Sequence, residues 1–260
     1  MDGLASLPAN ARRLAQLARC SGRRTPLVLA EAMRAVLTVP RLPAAEGLTG
    51  EVGSAGPRRH LVVVGDSLAA AVGVSHQRDG LAGQLAARLA ARERARVTWE
   101  VRARTGTTAG EALAFVAAAP MDRADIVVLS VGANDTKDFH TIDRWRRELD
   151  ALLTATRRRA PRADLVLLPV PMLQMCPGFP PALRGVLAER AAVLDAVAGP
   201  VVSGHPHVRR IPRESPPGGD ELFVADGVHP SPTFFAAYAD AVDAALAATR
   251  LPASARDAHG

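Results

Sequence analysis

From residue 60 onward the chain alternates short aliphatic runs with segments of helical period, a pattern that few folds satisfy. The runs are HLVVVG (60 to 65), VTWEVRA (97 to 103), DIVVLSV (125 to 131), ADLVLLPV (163 to 170) and the weaker HVRRIP (207 to 212). Between them, GLAGQLAARLAARER, TAGEALAFVAAA, TIDRWRRELDALLTATRRR and PALRGVLAERAAVLDAVAG repeat Leu or Ala at three- and four-residue intervals, and PTFFAAYADAVDAALAATR closes the series. A strand covered on both faces reads as a continuous apolar run, and parallel neighbours need a crossover helix between them. The pattern therefore predicts an α/β protein: a three-layer α/β/α sandwich around a central five-stranded parallel sheet. A chain of 260 residues, 48% hydrophobic, can bury one core of that size. We assign this domain to residues 57–250. Residues 1–56 form an N-terminal extension with one or two helices and a Gly- and Pro-rich linker or strap (RLPAAEGLTGEVGSAGP), and residues 251–260 form a flexible tail.

Composition narrows the function. With only Cys20 and Cys176, the chain has too few thiols for a disulfide scaffold or a thiolate zinc site. The net charge of +6 comes from arginine, since Lys137 is the only lysine. The arginines are scattered in twos and threes and the chain is 3% aromatic, which leaves few rings to stack on bases, so a nucleic-acid partner is not expected. No apolar stretch approaches the roughly 20 residues of a membrane span, and TPLVLAEAMRAVLTVP is interrupted by Glu31 and Arg34. The opening MDGLASLPANARRLAQ lacks the basic start and apolar core of a secretory signal. The expectation is a cytoplasmic protein; the rival reading lays residues 27 to 37 on a membrane as a peripheral helix, beside upstream arginines.

In an open parallel sheet, ligands gather outside the carboxyl ends of the strands, so the residues after each run matter most. Gly65-Asp66-Ser67 follows the first run, Arg104-Thr105-Gly106-Thr107 the second, and Gly132-Ala133-Asn134-Asp135 the third. ADGVHPS, with Asp226, His229 and Pro230, precedes the last helix. Acyl transfer through serine needs a hydroxyl, a base, a group that orients the base, and donors for the oxyanion. Ser67 offers the hydroxyl. His229 has an acid, Asp226, three residues upstream in a turn that Pro230 keeps from winding into helix. Gly106, Asn134 and the Ser67 N–H suit the oxyanion. Taken singly, each of these residues reads as a helix cap or a turn. Together, in this order, they read as a site.

The four blocks VVGDSL, ARTGTTA, VGANDT and ADGVHPS resemble those of the SGNH hydrolase superfamily, also called GDSL esterases and lipases, over residues 60 to about 248. The resemblance implies a flavodoxin-like fold, Ser67 as nucleophile, His229 as base, Asp226 as its orienting acid, and Ser67 N–H, Gly106 N–H and the Asn134 amide as oxyanion donors. Asp66 belongs to the same motif and reads as a structural acid accepting backbone bonds. Ala71 stands where many relatives carry glycine, and Phe234-Phe235 where they often show Gly-Tyr.

The leading expectation is hydrolysis of a small-molecule carboxylic ester through an acyl-enzyme, with no metal or organic cofactor. The same triad would also serve an acyltransferase or deacylase acting on a sugar or metabolite ester. Two further readings fit less well. A metal-dependent phosphoesterase would want an Asp-x-His pair ending the first strand, and a non-catalytic phosphate-binding module would leave Asp226 and His229 unexplained. The loop PVPMLQMCPGFPPALRG (169 to 185) offers Met172, Met175 and Phe179 as candidate acyl-pocket residues. Cys176 in that loop has no assigned role.

Overall fold

The computed structural model describes residues 9–54 and 56–248; the tail at 251–260 lies outside the described residues, as do residues 1–8 of the extension. In chain order the elements are α1 (Ala9–Ser21), a single 3-10 turn (Gly22–Arg24), α2 (Thr25–Thr38), β1 (Thr49–Val52), β2 (Arg58–Gly65), α3 (Leu81–Glu93), β3 (Arg96–Ala103) and α4 (Ala109–Ala118). Then follow β4 (Ile126–Ser130), α5 (Ala133–Lys137), α6 (Ile142–Arg159), β5 (Asp164–Leu167), α7 (Pro181–Ser203), β6 (Val208–Arg210) and α8 (Pro232–Ala247).

The sheet runs β1-β3-β2-β4-β5-β6. Its last five members are parallel, as the aliphatic runs predict. The sixth strand is new: β1 pairs antiparallel with β3, Thr49 opposite Glu100 and Val52 opposite Val97. The segment TGEV has no aliphatic run, because an edge strand is held by its neighbour's backbone and buries little side chain. The stretch read as linker or strap thus contributes an edge to the sheet. Alternate side chains of each strand enter opposite cores: Leu61, Val63 and Val128 pack with α3 and α8 on one face, Val62, Val64 and Leu129 with α4, α6 and α7 on the other. That division is the three-layer sandwich.

Helix boundaries follow local chemistry. Thr108 and Glu111 form a reciprocal capping box at the start of α4, and the Thr141 hydroxyl accepts from Arg144 N–H at the start of α6. α7 runs four residues beyond the expected Gly199, carrying Pro200 in its last turn. Proline forfeits only one helical hydrogen bond there, and few turns remain to be bent.

After β2 the chain goes to β3 on one side and returns to β4 on the other. The carboxyl end of β2 is therefore the topological switch point, where the crossovers diverge and leave a crevice. Ser67 lies just beyond it.

Candidate active site

Gly65 ends β2 at φ 153°, and a Cβ there would lie 2.0 Å from the Ser130 carbonyl oxygen, so only glycine lets the strand turn this close to β4. Asp66 follows and is buried. Its Oδ1 accepts from Leu68 N–H at 3.1 Å and from the Ser130 hydroxyl at 2.9 Å, while its own N–H donates to Ser130 O. Burial pushes its pKa up to about 6, against the hydrogen bonds from Ser130 and Leu68 and the charge of Lys137. These bonds lock the turn to β4 and present Ser67, half-buried, at the crest.

Asp226 and His229 come from the loop between β6 and α8. His229 Nδ1 lies 2.6 Å from Asp226 Oδ2, and Asp226 Oδ1 accepts from the N–H groups of Val228 and His229. Burial works against the Asp226 carboxylate, but these hydrogen bonds outweigh it and hold its pKa below the ordinary value. An acid so held stays ionised and fixes the ring, leaving Nε2 as the nitrogen free to act elsewhere. Ser67 and His229 line one cavity of about 70 Å³ at the carboxyl edge of the sheet.

Met172, Met175 and Phe179 line that cavity too, with Phe234 and Tyr238 stacked at a ring separation of 4.7 Å. Phe234 is thus where the departure from Gly-Tyr meets the site. Cys176 is a further wall residue, and burial pushes its thiol up to about 12, which keeps it protonated and unreactive. Ala71, at the other departure, adopts φ 51°, a conformation that glycine takes without strain.

The structure treats the remaining two blocks differently. Asn134, buried in α5, donates from Nδ2 to Thr107 O at 2.9 Å, which ties the third block to the second. Its neighbour Ala133 lines the cavity. Gly106 stands on an exposed turn at φ 90° with open space where a side chain would go. Among the described residues, no backbone carbonyl accepts from the N–H of Ser67 or of Gly106.

Lys137, to which the sequence pattern assigns no role, lines the same cavity beside Ala133. Its side chain is exposed overall, yet desolvation by the atoms around it holds its pKa below the ordinary lysine value despite the nearby charges of Asp66 and Asp138. The available signal was its position three residues after Asn134, one turn along the same helical face.

Behind the site lies a second group. His140 Nδ1 faces Asp135 Oδ1 and Glu148 Oε2, each at 3.2 Å, aligned with neither as a linear hydrogen bond. These three side chains are also the one set of possible metal ligands among the described residues. Asp135 is already committed to the N–H groups of Ala109 and Gly132, so the set reads as a buried ion pair that anchors α5 to α4 and α6.

Residues 63–237 match the GDSL-like lipase/acylhydrolase family, and the match takes in Ser67, Gly106, Asn134, Asp226 and His229. The chain belongs to that family. No curated protein matches it by sequence. Among solved structures, a lipase/acylhydrolase from Enterococcus faecalis is similar with a TM-score of 0.57 at 22% identity, over 74% of this chain and 96% of that one. TesA is similar with a TM-score of 0.56 at 24% identity, over 72% and 98%. The esterase EstA from Pseudoalteromonas sp., in a structure inhibited by monoethylphosphonate, gives 0.55 at 18% identity, over 74% and 98%. At these identities the likeness establishes the SGNH hydrolase fold. The covered share leaves out about a quarter of the chain.

Proposed function

We propose that the protein hydrolyses carboxylic esters through an acyl-enzyme on Ser67. His229 Nε2 takes the Ser67 proton as Oγ attacks the acyl carbonyl. Asp226, on Nδ1, fixes the ring tautomer and stabilises the imidazolium that forms. The developing oxyanion is met by Ser67 N–H, Gly106 N–H and the second hydrogen of the Asn134 amide, the first being held by Thr107 O. His229 then returns the proton to the leaving alcohol, and water repeats the sequence on the acyl-serine. The observation that carries this reading is the 2.6 Å contact of His229 with Asp226 on the wall of the same cavity as Ser67.

The cavity is small and walled by Met172, Met175, Phe179 and Phe234, which suits a short acyl group. A fluorophosphonate probe tests the reading directly. The expected result is one covalent adduct, mapped by peptide mass spectrometry to Ser67, abolished by Ser67→Ala and slowed in His229→Ala. A protein left unlabelled while it retains esterase activity would overturn the assignment. Short-chain p-nitrophenyl esters are expected to turn over faster than long-chain ones.

A further inference from the structure

α1 and α2 lie before the matched family region and pack against α7. α2 buries Val28 and Ala35 on its inner face, where Glu31 accepts a hydrogen bond from Leu183 N–H at the start of α7. A helix of a soluble domain turns charged and polar residues outward. The outward side of α2 instead presents Leu27, Met33, Val36 and Leu37, with Met33 68% and Leu37 83% exposed. With Leu14 of α1, these make up five of the eight large apolar side chains exposed among the described residues. Apolar exposure concentrated in this way marks a surface with a partner.

Charge identifies the partner. Residues 9 to 41 carry seven arginines against one acid, Glu31, which is spent on α7, and of the seven Arg13 is paired with Asp138. Arg19, Arg23, Arg24 and Arg34 are exposed. Two copies of so basic a face repel each other, whereas an apolar stripe among arginines complements an anionic bilayer. The face also sits close to the chemistry. Val36, with Ala32, Ala35 and Val39, lines a groove of about 270 Å³ that shares Lys137 and Phe179 with the catalytic cavity.

We propose that α1 and α2 form an interfacial docking surface that seats the protein on an anionic lipid bilayer, with the mouth of the catalytic cavity toward the membrane. Leu27, Met33 and Leu37 would enter the acyl boundary, and the exposed arginines would meet lipid phosphates. No helix of the described residues is long and apolar enough to cross a membrane, so the attachment is peripheral. The proposal concerns binding and holds whether or not Ser67 turns over esters.

The test is cosedimentation of the full-length protein with phosphatidylcholine vesicles, with and without phosphatidylglycerol. Binding is expected only with phosphatidylglycerol and is expected to weaken as salt is raised. The double substitution Met33→Asp and Leu37→Asp should weaken partitioning by about tenfold or more. Arg23→Gln with Arg24→Gln should cost about fivefold per arginine. Both pairs are exposed and outside the cavity, so hydrolysis of a water-soluble ester should match the wild type and report an intact fold. A protein that ignores phosphatidylglycerol vesicles, or whose binding survives Met33→Asp and Leu37→Asp, overturns the proposal. So does a dimer in analytical ultracentrifugation that the same pair dissociates, which would make the occupant a second copy.

Discussion

Of the histidine–carboxylate groups among the described residues, His229 with Asp226 and His140 with Asp135 and Glu148 make the instructive pair, because only the first faces the cavity that Ser67 lines. His229 is held by Asp226 through one nitrogen and lines the cavity that Ser67 shares. His140 is enclosed, its Nδ1 placed 3.2 Å from both Asp135 and Glu148. The acids beside them are alike in kind. Both rings meet their acids through Nδ1; what separates the two is that His229 faces the cavity that Ser67 lines and His140 does not. Proximity of a histidine to an acid is therefore not enough to mark a base; a base also needs access to a hydroxyl, which is what the proposed role of His229 rests on.

The sharpest way to break this contrast is to delete each histidine in turn. His229→Ala is expected to lower kcat/KM by on the order of 10⁴-fold with little change in thermal stability. If the rate survives, the wrong cluster carries the chemistry. Asn134→Ala is next, expected to lower kcat by about 100- to 1,000-fold while the variant still unfolds at a temperature close to the wild type's. A folded variant with undiminished kcat would remove Asn134 from the oxyanion site.

His140→Ala should do the reverse of His229→Ala. At a pH below the ordinary histidine value, where the ring is charged, its removal leaves two carboxylates facing each other in the interior, a loss of about 3 kcal/mol seen in denaturant unfolding, with a smaller effect on rate through displacement of α5. The pH dependence sharpens the point. Burial opposes the His140 charge, but Asp135 and Glu148 outweigh it and raise its pKa. The folded protein thus holds this proton more tightly than the unfolded chain does. The stabilisation is complete below the ordinary histidine value and is lost as pH rises through the raised one. Melting temperature measured against pH should fall across that window in the wild type and flatten there in His140→Ala; equal slopes would show that the cluster is not an ion pair.

These two clusters also mark what the sequence could and could not disclose. Asp226 and His229 were legible because they lie three residues apart beside a proline, so local geometry alone brings them into contact. Ser67, Gly106 and Asn134 were legible because each follows a buried aliphatic run, and parallel strands deliver their ends to one edge. His140 and Glu148 stand on successive elements, and their meeting with Asp135 depends on how α6 packs against α4, which no short spacing encodes. β1 was hidden for a related reason, since TGEV becomes a strand only through the free edge of β3. Residues 27 to 37 were legible as an apolar helix that could lie on a membrane, but helical period reveals two faces without saying which is covered. The burial of Val28 and Ala35 decides that.

The lone lysine has a practical consequence. Lys137 borders both the cavity lined by Ser67 and His229 and the groove beneath α2, and desolvation makes its amine easier to deprotonate than an ordinary lysine's. An amine-directed reagent therefore meets a single side-chain address in the whole chain, and that address lies beside the cavity that Ser67 and His229 line. A fluorophore or crosslinker installed there would report on substrate entry and membrane approach from one defined position.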